Sequence, residues 1–447
     1  MAKRIVILLI SAALLVACVL LIMSSNADIT ISTENPYVTD IPDLGEVPEV
    51  TTTPEEDVPD STSESTTEAT TEAVTTTEPT TATTPETTVT EEVLLDVVAR
   101  IMLGGDTSMD GEFAEVCGYK GVDYPWAQGS ELLNSADLAV LNLETCVSPD
   151  GVSEKKEGFG FRTPPEMLEG FVNAGIDMVS LANNHTRDFG YQALLNTFDS
   201  LDQYGIDYFG AGHDIEEAAG LVIKEVNGIK IGFTGSHRVW LTDDCEADVD
   251  HAGINQIHSL DKPSTQAYLA KLREYDKQVD VLIAFMHYGT EEVFDVTSYQ
   301  KTMAREMIDC GVDIFVGGHS HTLQPIEYYK GKPIFYSIGN FIFWHVDDDI
   351  DGLTAVFDLE VNREGMVSLR LHPVFIKRYR ANLVVKGSDR YEQILLLMNN
   401  LCNPNGIAFD DDGYMIEYIP PLPEETPTPD LPAEEYIPDE SEKTVYF

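Results

Sequence analysis

Five apolar runs of this 447-residue chain each end in side chains able to bind a hard or borderline cation: Asp106, Glu144, Asn184 with His185, His287, and His319 with His321. Carboxylate, amide and imidazole donors of this kind suit one or two divalent ions, Mn, Fe or Zn rather than Mg or a thiophilic metal. Such ions lower the pKa of a bound water and stabilise a developing oxyanion, the chemistry of metal-assisted hydrolysis. Taken singly, an Asp after two glycines is usually a turn residue, and a histidine at a strand end is usually just hydrogen-bonded. Their recurrence at one structural position in five successive units points to a shared site.

The elements that must position them can be read from the flanking residues. Val97–Leu103, Leu138–Leu141, Ile176–Leu181, Val281–Met286 and Val312–Val316 read as buried strands. Helical patterns intervene around Pro165–Ala174, Tyr191–Tyr204, Ser264–Tyr275 and Tyr299–Asp309. This alternation predicts an α/β layered fold, in which ligands gather outside the carboxyl ends of the strands. Leu221–Val226 with Ile229–Thr234, and Thr354–Val361 with Met366–Phe375, read as hairpins around Asn227-Gly228 and Asn362–Gly365, so the sheets are mixed. A core of roughly 320 residues, placed at 93–415, suits two mixed β-sheets packed face to face and covered by helices.

Gly104-Gly105-Asp106, Asn142-Leu143-Glu144, Asn183-Asn184-His185 with Asp188 and Gly190, His287–Glu291, Gly317–His321 and Gly339-Asn340-Phe341 occur in that order. This set resembles the motifs of CapA-type capsule synthesis proteins, a family associated with poly-γ-glutamate capsules and a calcineurin-like metallophosphoesterase fold. The resemblance covers most of Asp96 to about Arg380 and implies a metallophosphatase-like sandwich. It implies that Asp106 and His321 serve a first metal, that Glu144 bridges, and that Asn184, His287 and His319 complete a second. By the same resemblance His185 is the general acid, Asp188 its orienting partner, and Asn340 binds ligand or supports the site.

Two positions depart from the metallophosphoesterase pattern. Asp106-Thr107-Ser108 stands where Asp-x-His is usual, and Glu144 stands where Asp is usual. The first-metal site is one nitrogen ligand short, with weak binding, recruitment of Asn142 or water, and vacancy all open. Arg162, Arg187, Lys155 and Lys156 lie in loops beside the motifs, either as solvated surface or as holders of an anionic group, with Arg162 and Arg187 taken as substrate-binding. Of the remaining histidines, His237 is the strongest candidate for a further role.

The charge distribution narrows the partners. The chain carries 77 acidic and 27 basic residues, a formal net charge of −50. Asp28–Asp96 holds 18 acidic residues and no Lys or Arg, and between Val97 and Phe409 the 47 acidic and 24 basic residues leave −23. Nucleic acid is excluded as a partner, because its phosphates need clustered Lys and Arg. An anionic polymer such as poly-γ-glutamate would meet repulsion everywhere except at a cation-loaded or locally basic site.

Lys3 and Arg4 precede the apolar run Ile5–Met23, 19 residues or about 28 Å as a helix. The positive-inside rule then leaves the remainder of the chain outside the cell membrane. The segment, residues 1–26, is an uncleaved signal anchor, a lipoprotein signal with Leu15-Val16-Ala17-Cys18 as its lipobox, or a signal peptide cleaved after Ala27. Thr51–Thr90 contains 18 Thr among 40 residues, and 27–92 is expected to be a disordered, self-repelling stalk. The acidic tail 416–447 is expected to behave likewise. The five cysteines beyond Cys18 show no CxxC spacing, which favours buried or unpaired thiols over a disulfide framework.

The leading expectation is a surface-anchored metallohydrolase-like protein of poly-γ-glutamate or related polymer biosynthesis, acting in export, attachment or trimming with capsule synthesis machinery. The alternatives are a non-catalytic, polymer-binding assembly component with a remnant metal site, and an extracellular phosphoesterase.

Overall fold

Alternate residues of the strand runs divide between two apolar layers, and this division sets the architecture. The computed structural model describes residues 98–155, 159–239, 245–343 and 352–417. The apolar segment Ile5–Met23, the stalk, Lys156 and most of the acidic tail lie outside the described residues. Among the described residues, no helix is long and apolar enough to cross a membrane.

The first sheet begins with four strands: β1 (Ala99–Thr107), β2 (Leu138–Leu143), β3 (Met178–Ser180) and β4 (Asp207–Phe209). They pair parallel in that order. Next come β5 (Val222–Val226), β6 (Ile229–His237), β7 (Val281–His287), β8 (Ile314–Gly318), β9 (Ile326–Tyr329) and β10 (Lys332–Phe335), which form a second sheet in the order β9-β10-β8-β7-β6-β5. The chain then returns to the first sheet. β11 (Asn340–Ile342) pairs parallel with β1, and β12 (Leu353–Asn362), β13 (Gly365–Ile376) and β14 (Ala381–Leu383) add antiparallel strands beyond it. Both sheets are mixed, as the two hairpins require.

Ile101, Leu103 and Val140 of the first sheet meet Ile231, Phe233, Ile283, Phe285 and Val316 of the second in one buried layer. The intervening residues face outward under helices. Met102, Ala139, Leu141 and Val179 pack with Phe171 of α2 (Leu168–Asn173) and with Leu194, Phe198 and Leu201 of α3 (Gly190–Tyr204), while Phe113 comes from α1 (Gly111–Lys120). On the other side Leu282, Ala284, Met286 and Phe315 pack under Leu269 and Leu272 of α4 (Pro263–Tyr275) and Met303 and Met307 of α5 (Ser298–Asp309). The result is helix, sheet, sheet, helix. Strands buried on both faces read as continuous apolar runs, which is why they stood out in the sequence.

Some elements differ from the sequence reading. β1 does not stop at Leu103 but continues through Gly104 and Gly105 to Thr107, so Asp106 lies within the strand. A Cβ on Gly105 would sit 1.9 Å from the Gly339 carbonyl oxygen, and that close crossing is what lets β11 lie against β1. α1 and α6 (Asp389–Cys402) were not foreseen. Beyond α6, Ile407–Phe409 pairs with Met415–Glu417. Cys117, Cys146, Cys245, Cys310 and Cys402 are all buried, and none is in a disulfide among the described residues.

Candidate metal centre

Parallel strands of both sheets end at one edge, and register puts their last residues side by side. Asp106 pairs with Asn142 across β1 and β2, and His287 pairs with Gly318 across β7 and β8. The two sheets then meet through side chains. His287 Nε2 lies 2.7 Å from Asn184 Oδ1, 3.2 Å from Glu144 Oε1 and 3.2 Å from His319 Nδ1. His321 Nδ1 is 3.5 Å from Asp106 Oδ2.

Ligand-type atoms of Asp106, Glu144 and His287 lie within 4.8 Å of one another, as do those of Glu144, His319 and His321. Glu144 belongs to both groups. All six expected ligands are therefore brought together, with the glutamate between two clusters.

Whether these residues fit a cation is decided by Glu144. Its side chain is fully buried, and neither carboxylate oxygen has a hydrogen-bond partner. Burial, with the Asp106 charge adding to it, pushes the Glu144 carboxyl well above the usual range. A buried carboxylate with no donor is strongly destabilising unless a cation compensates it. The donor set fits a divalent ion on chemical grounds too. Burial pushes the His287 imidazole down to about 3 and drives His319 well below its ordinary value, leaving both neutral, the form in which imidazole ligates. At His321 burial acts downward as well, but Glu144 and Asp106 outweigh it and raise the value.

The Gly317–His321 turn carries strain where it delivers its histidines. His319 has φ +85° and His321 φ +56°, a region costly for side-chain-bearing residues. Polar contacts hold both. The His319 N–H donates to Asp106 Oδ2 at 3.1 Å. Asn340 brackets His321, with Oδ1 2.8 Å from its Nδ1 and Nδ2 donating to its carbonyl oxygen at 3.1 Å. Gly318 is required by space, since a Cβ there would lie 2.9 Å from Asp106 Oδ1.

His185 stands at the rim of the centre. Its Nδ1 lies 2.6 Å from Asp188 Oδ2, and its Nε2 is 3.8 Å from Glu144 Oε1. The Phe161 ring stacks on the imidazole at 4.1 Å, and the Phe161 N–H donates to the same Asp188 oxygen at 2.9 Å. One residue thus fixes both members of the pair. Phe343 continues the aromatic wall, 5.5 Å from Phe161 and 4.7 Å from His321.

The two arginines expected to bind substrate are placed differently. Arg162 donates from Nη1 to the carbonyls of Ser148 and Pro149, and its guanidinium lies over the Phe189 ring. Arg187 is buried with its guanidinium over Tyr191. Ser108, where the usual pattern has histidine, donates from Oγ to Asp110. Asn142 does reach the centre, donating to Asp106 Oδ1 at 2.8 Å and lying 3.3 Å from His287 Nδ1.

Sequence reasoning assigned no role to Phe161, Phe343 or Asn183. Asn183 donates to Asn142 Oδ1 and to the Leu143 carbonyl, and accepts from the His185 N–H. Its place inside the Asn183-Asn184-His185 motif was the available signal. Phe161 and Phe343 lie in loops, and nothing in Phe159-Gly160-Phe161 or in Phe341-Ile342-Phe343 singles them out.

Fold and site together define a four-layer α/β protein with a buried carboxylate and imidazole centre at the strand ends. The chain belongs to the family described as bacterial capsule synthesis protein PGA_cap, which matches residues 100–345. It is 26% identical over 296 residues to the PGA biosynthesis protein CapA of Bacillus subtilis (strain 168), covering 65% of this chain and 75% of that one. It is also 26% identical to the capsule biosynthesis protein CapA of Bacillus anthracis, over 64% of this chain and 69% of that one. Among solved structures, the NAD nucleotidase (NadN) of Haemophilus influenzae aligns at 14% identity over 68% of this chain and 63% of that chain, with a TM-score of 0.37.

Proposed function

We propose that this protein is a metal-dependent hydrolase of metallophosphatase-like fold that acts on an anionic polymer, poly-γ-glutamate or a related one, during its synthesis, export or trimming. The observation that carries this reading is Glu144, a buried carboxylate with two unpartnered oxygens surrounded by His185, His287 and His321. Asp106, Glu144, Asn184, His287, His319 and His321 would hold one or two divalent ions, with Mn, Fe or Zn suited to these donors. A bound ion would supply Lewis acidity and a lowered pKa for water. His185 holds a proton for a leaving oxygen, Asp188 fixes its tautomer, and Phe161 shields the pair from water.

Ile5–Met23 would hold the protein at the cell membrane, as a single span or a lipidated terminus, with the core outside and in reach of capsule synthesis machinery. The negative charge of the core makes the metal centre the place where a polyanion is attracted.

One observation favours a second reading, a polymer-binding assembly component without turnover. Ser108 bonds to Asp110 and adds no nitrogen ligand to the Asp106 side of the centre. Elemental analysis of the purified protein, followed by assays on phosphodiesters and on γ-glutamyl polymer, separates the two. Bound metal with hydrolysis of either substrate supports the enzyme, whereas bound metal and polymer without turnover supports the assembly role. Absence of metal would sink the enzyme and leave the assembly role to be decided by polymer binding.

A further inference from the structure

β13 and β14 are joined by the two-residue turn Arg378-Tyr379, closed by the Lys377 N–H on the Arg380 carbonyl at 3.0 Å and the Arg380 N–H on the Lys377 carbonyl at 3.3 Å. Both turn residues have left-handed backbone, with φ +56° and +61°. Such a turn is the usual place of Asn-Gly, because positive φ is costly for larger side chains. Arginine and tyrosine there carry strain that the surroundings must hold. The Tyr124 hydroxyl donates to the Arg378 carbonyl at 3.1 Å, and Asn382 Nδ2 donates to the carbonyls of Phe375, Lys377 and Arg380. The Tyr379 ring meets Phe113 edge-on at 5.1 Å, and its hydroxyl donates to Glu112. None of these contacts uses the Arg378 side chain, so the fold gains nothing from an arginine at this strained position.

The turn is instead the centre of a group of open cations. Lys377 and Arg378 are exposed. The Arg380 guanidinium lies over the Tyr124 ring at 5.1 Å, and Lys120, at the end of α1, lies over the same ring at 5.4 Å. Among the described residues no carboxylate pairs with any of the four, and the buried Nε of Arg380 has no acceptor. Elsewhere Lys224, Lys271, Arg305, Lys330, Lys332 and Lys386 each pair with a carboxylate. In a core with 47 acidic against 24 basic residues, four neighbouring cations without one are where a polyanion is locally attracted.

Strand register places this group beside the metal centre. Leu353 pairs with Phe375, and four residues further along β12 Phe357 pairs with Leu103, so the end of β13 is level with Thr107. The turn therefore projects past the edge at which the metal centre lies. With β12 between β13 and β1, it stands two strand spacings, about 10 Å, to the side of β1. A few units of an extended chain cover that span. A bilayer seated on this edge would cover the centre, whereas a flexible polymer can lie along it.

We propose that Lys120, Lys377, Arg378 and Arg380 form a basic ledge that holds carboxylates of an anionic polymer while neighbouring units of the same chain lie at the metal centre. The inference rests on the polymer reading above. The ledge adds charge-assisted contacts to long chains and leaves the chemistry at the centre untouched.

The test uses the full chain, the double variant Lys377→Ser/Arg378→Asn, and the single variants Lys120→Ser and Arg378→Lys. Each is titrated with poly-γ-glutamate and with vesicles of phosphatidylglycerol and phosphatidylcholine, and metal content, polymer hydrolysis and melting temperature are read on the same samples. Wild type should bind the polymer with an affinity that falls as salt rises. The double variant should bind it about tenfold or more weakly, and Arg378→Lys, which keeps the charge, should stay within about threefold of wild type. Asn suits the positive φ at position 378, so the double variant should melt no lower than wild type, and metal content should be unchanged throughout. Lys120→Ser changes an exposed helix end and should also weaken binding, so it reports even if the double variant does not fold. Undiminished polymer affinity in the double variant and in Lys120→Ser overturns the ledge, as does a wild type that binds no polymer. Affinity lost only together with melting temperature also overturns it, by assigning these residues to the fold. Binding of vesicles in place of polymer overturns it in favour of a membrane contact. A wild type without metal or turnover whose variants still lose polymer affinity counts against the hydrolase reading and leaves the ledge standing.

Discussion

His185 donates through Nδ1 to Asp188 Oδ2 at 2.6 Å, which leaves its Nε2 facing the acidic centre 3.8 Å from Glu144. An imidazole so held is fixed in tautomer and orientation, and under the hydrolase reading it serves as the general acid. His185→Ala should therefore keep its metal while hydrolysis falls by roughly 10²- to 10⁴-fold. Asp188→Asn should also slow the reaction, and the double variant should be no slower than His185→Ala alone, because the pair acts as a unit. Elemental analysis beside steady-state rates decides it. Metal loss in His185→Ala would reverse the division of roles.

His287 and His319 should behave in the opposite way. His287 Nε2 sits where Asn184, Glu144 and His319 converge, so removing either ring takes away a donor and the geometry that holds the others. His287→Ala and His319→Ala should each lose metal, with secondary structure unchanged by circular dichroism. Full occupancy in both variants would show that the ion, if any, is held elsewhere.

Much of this arrangement was legible because buried parallel strands leave a continuous apolar run with a polar terminus. Val281–His287 and Ile314–Gly318 are of that kind. What depends on distant pairing was not legible. β1 passes through two glycines because Gly339 and Asn142 meet it there, and no local pattern encodes that. α1 buries Phe113 and Cys117 alone, too little for a periodic signal. In α6 the run Ile394–Met398 is apolar at five consecutive positions, which strand and helix share. The position of His237 beside His287 follows from register between strands about fifty residues apart. Its own run was read as ending at Thr234, three residues short.

Glu144 makes the stability of the protein depend on its ion. With metal removed, a buried carboxylate without donors is a net cost, and Glu144→Gln exchanges a charge for a neutral amide of similar shape. The variant should be more stable than wild type after chelation and less stable than wild type when both are loaded with metal. Thermal melts with and without chelator give the comparison. A variant less stable than wild type under both conditions would mean that the carboxylate has a structural partner of its own.

On the outer face of the first sheet, Asp358 accepts from Arg100 Nε at 2.8 Å and Nη2 at 2.7 Å, with His372 Nε2 3.0 Å away. Burial opposes ionisation of Asp358, but the bonds from Arg100 and His372 outweigh it and hold the carboxyl at about 2, below its ordinary 3.8. The sign follows from that depression: the stabilisation is present above the unfolded value and is lost as pH falls from near 3.8 through about 2. A shift of that size, discounted for the one-third exposure of Arg100, corresponds to about 1–2 kcal/mol. Asp358→Asn should be destabilised by that amount in denaturant melts at pH 7, and the difference from wild type should shrink towards zero near pH 2. Metal content should not change, because no ligand touches this cluster. A destabilisation that persists undiminished at low pH would assign the loss to packing of the strand rather than to the charge.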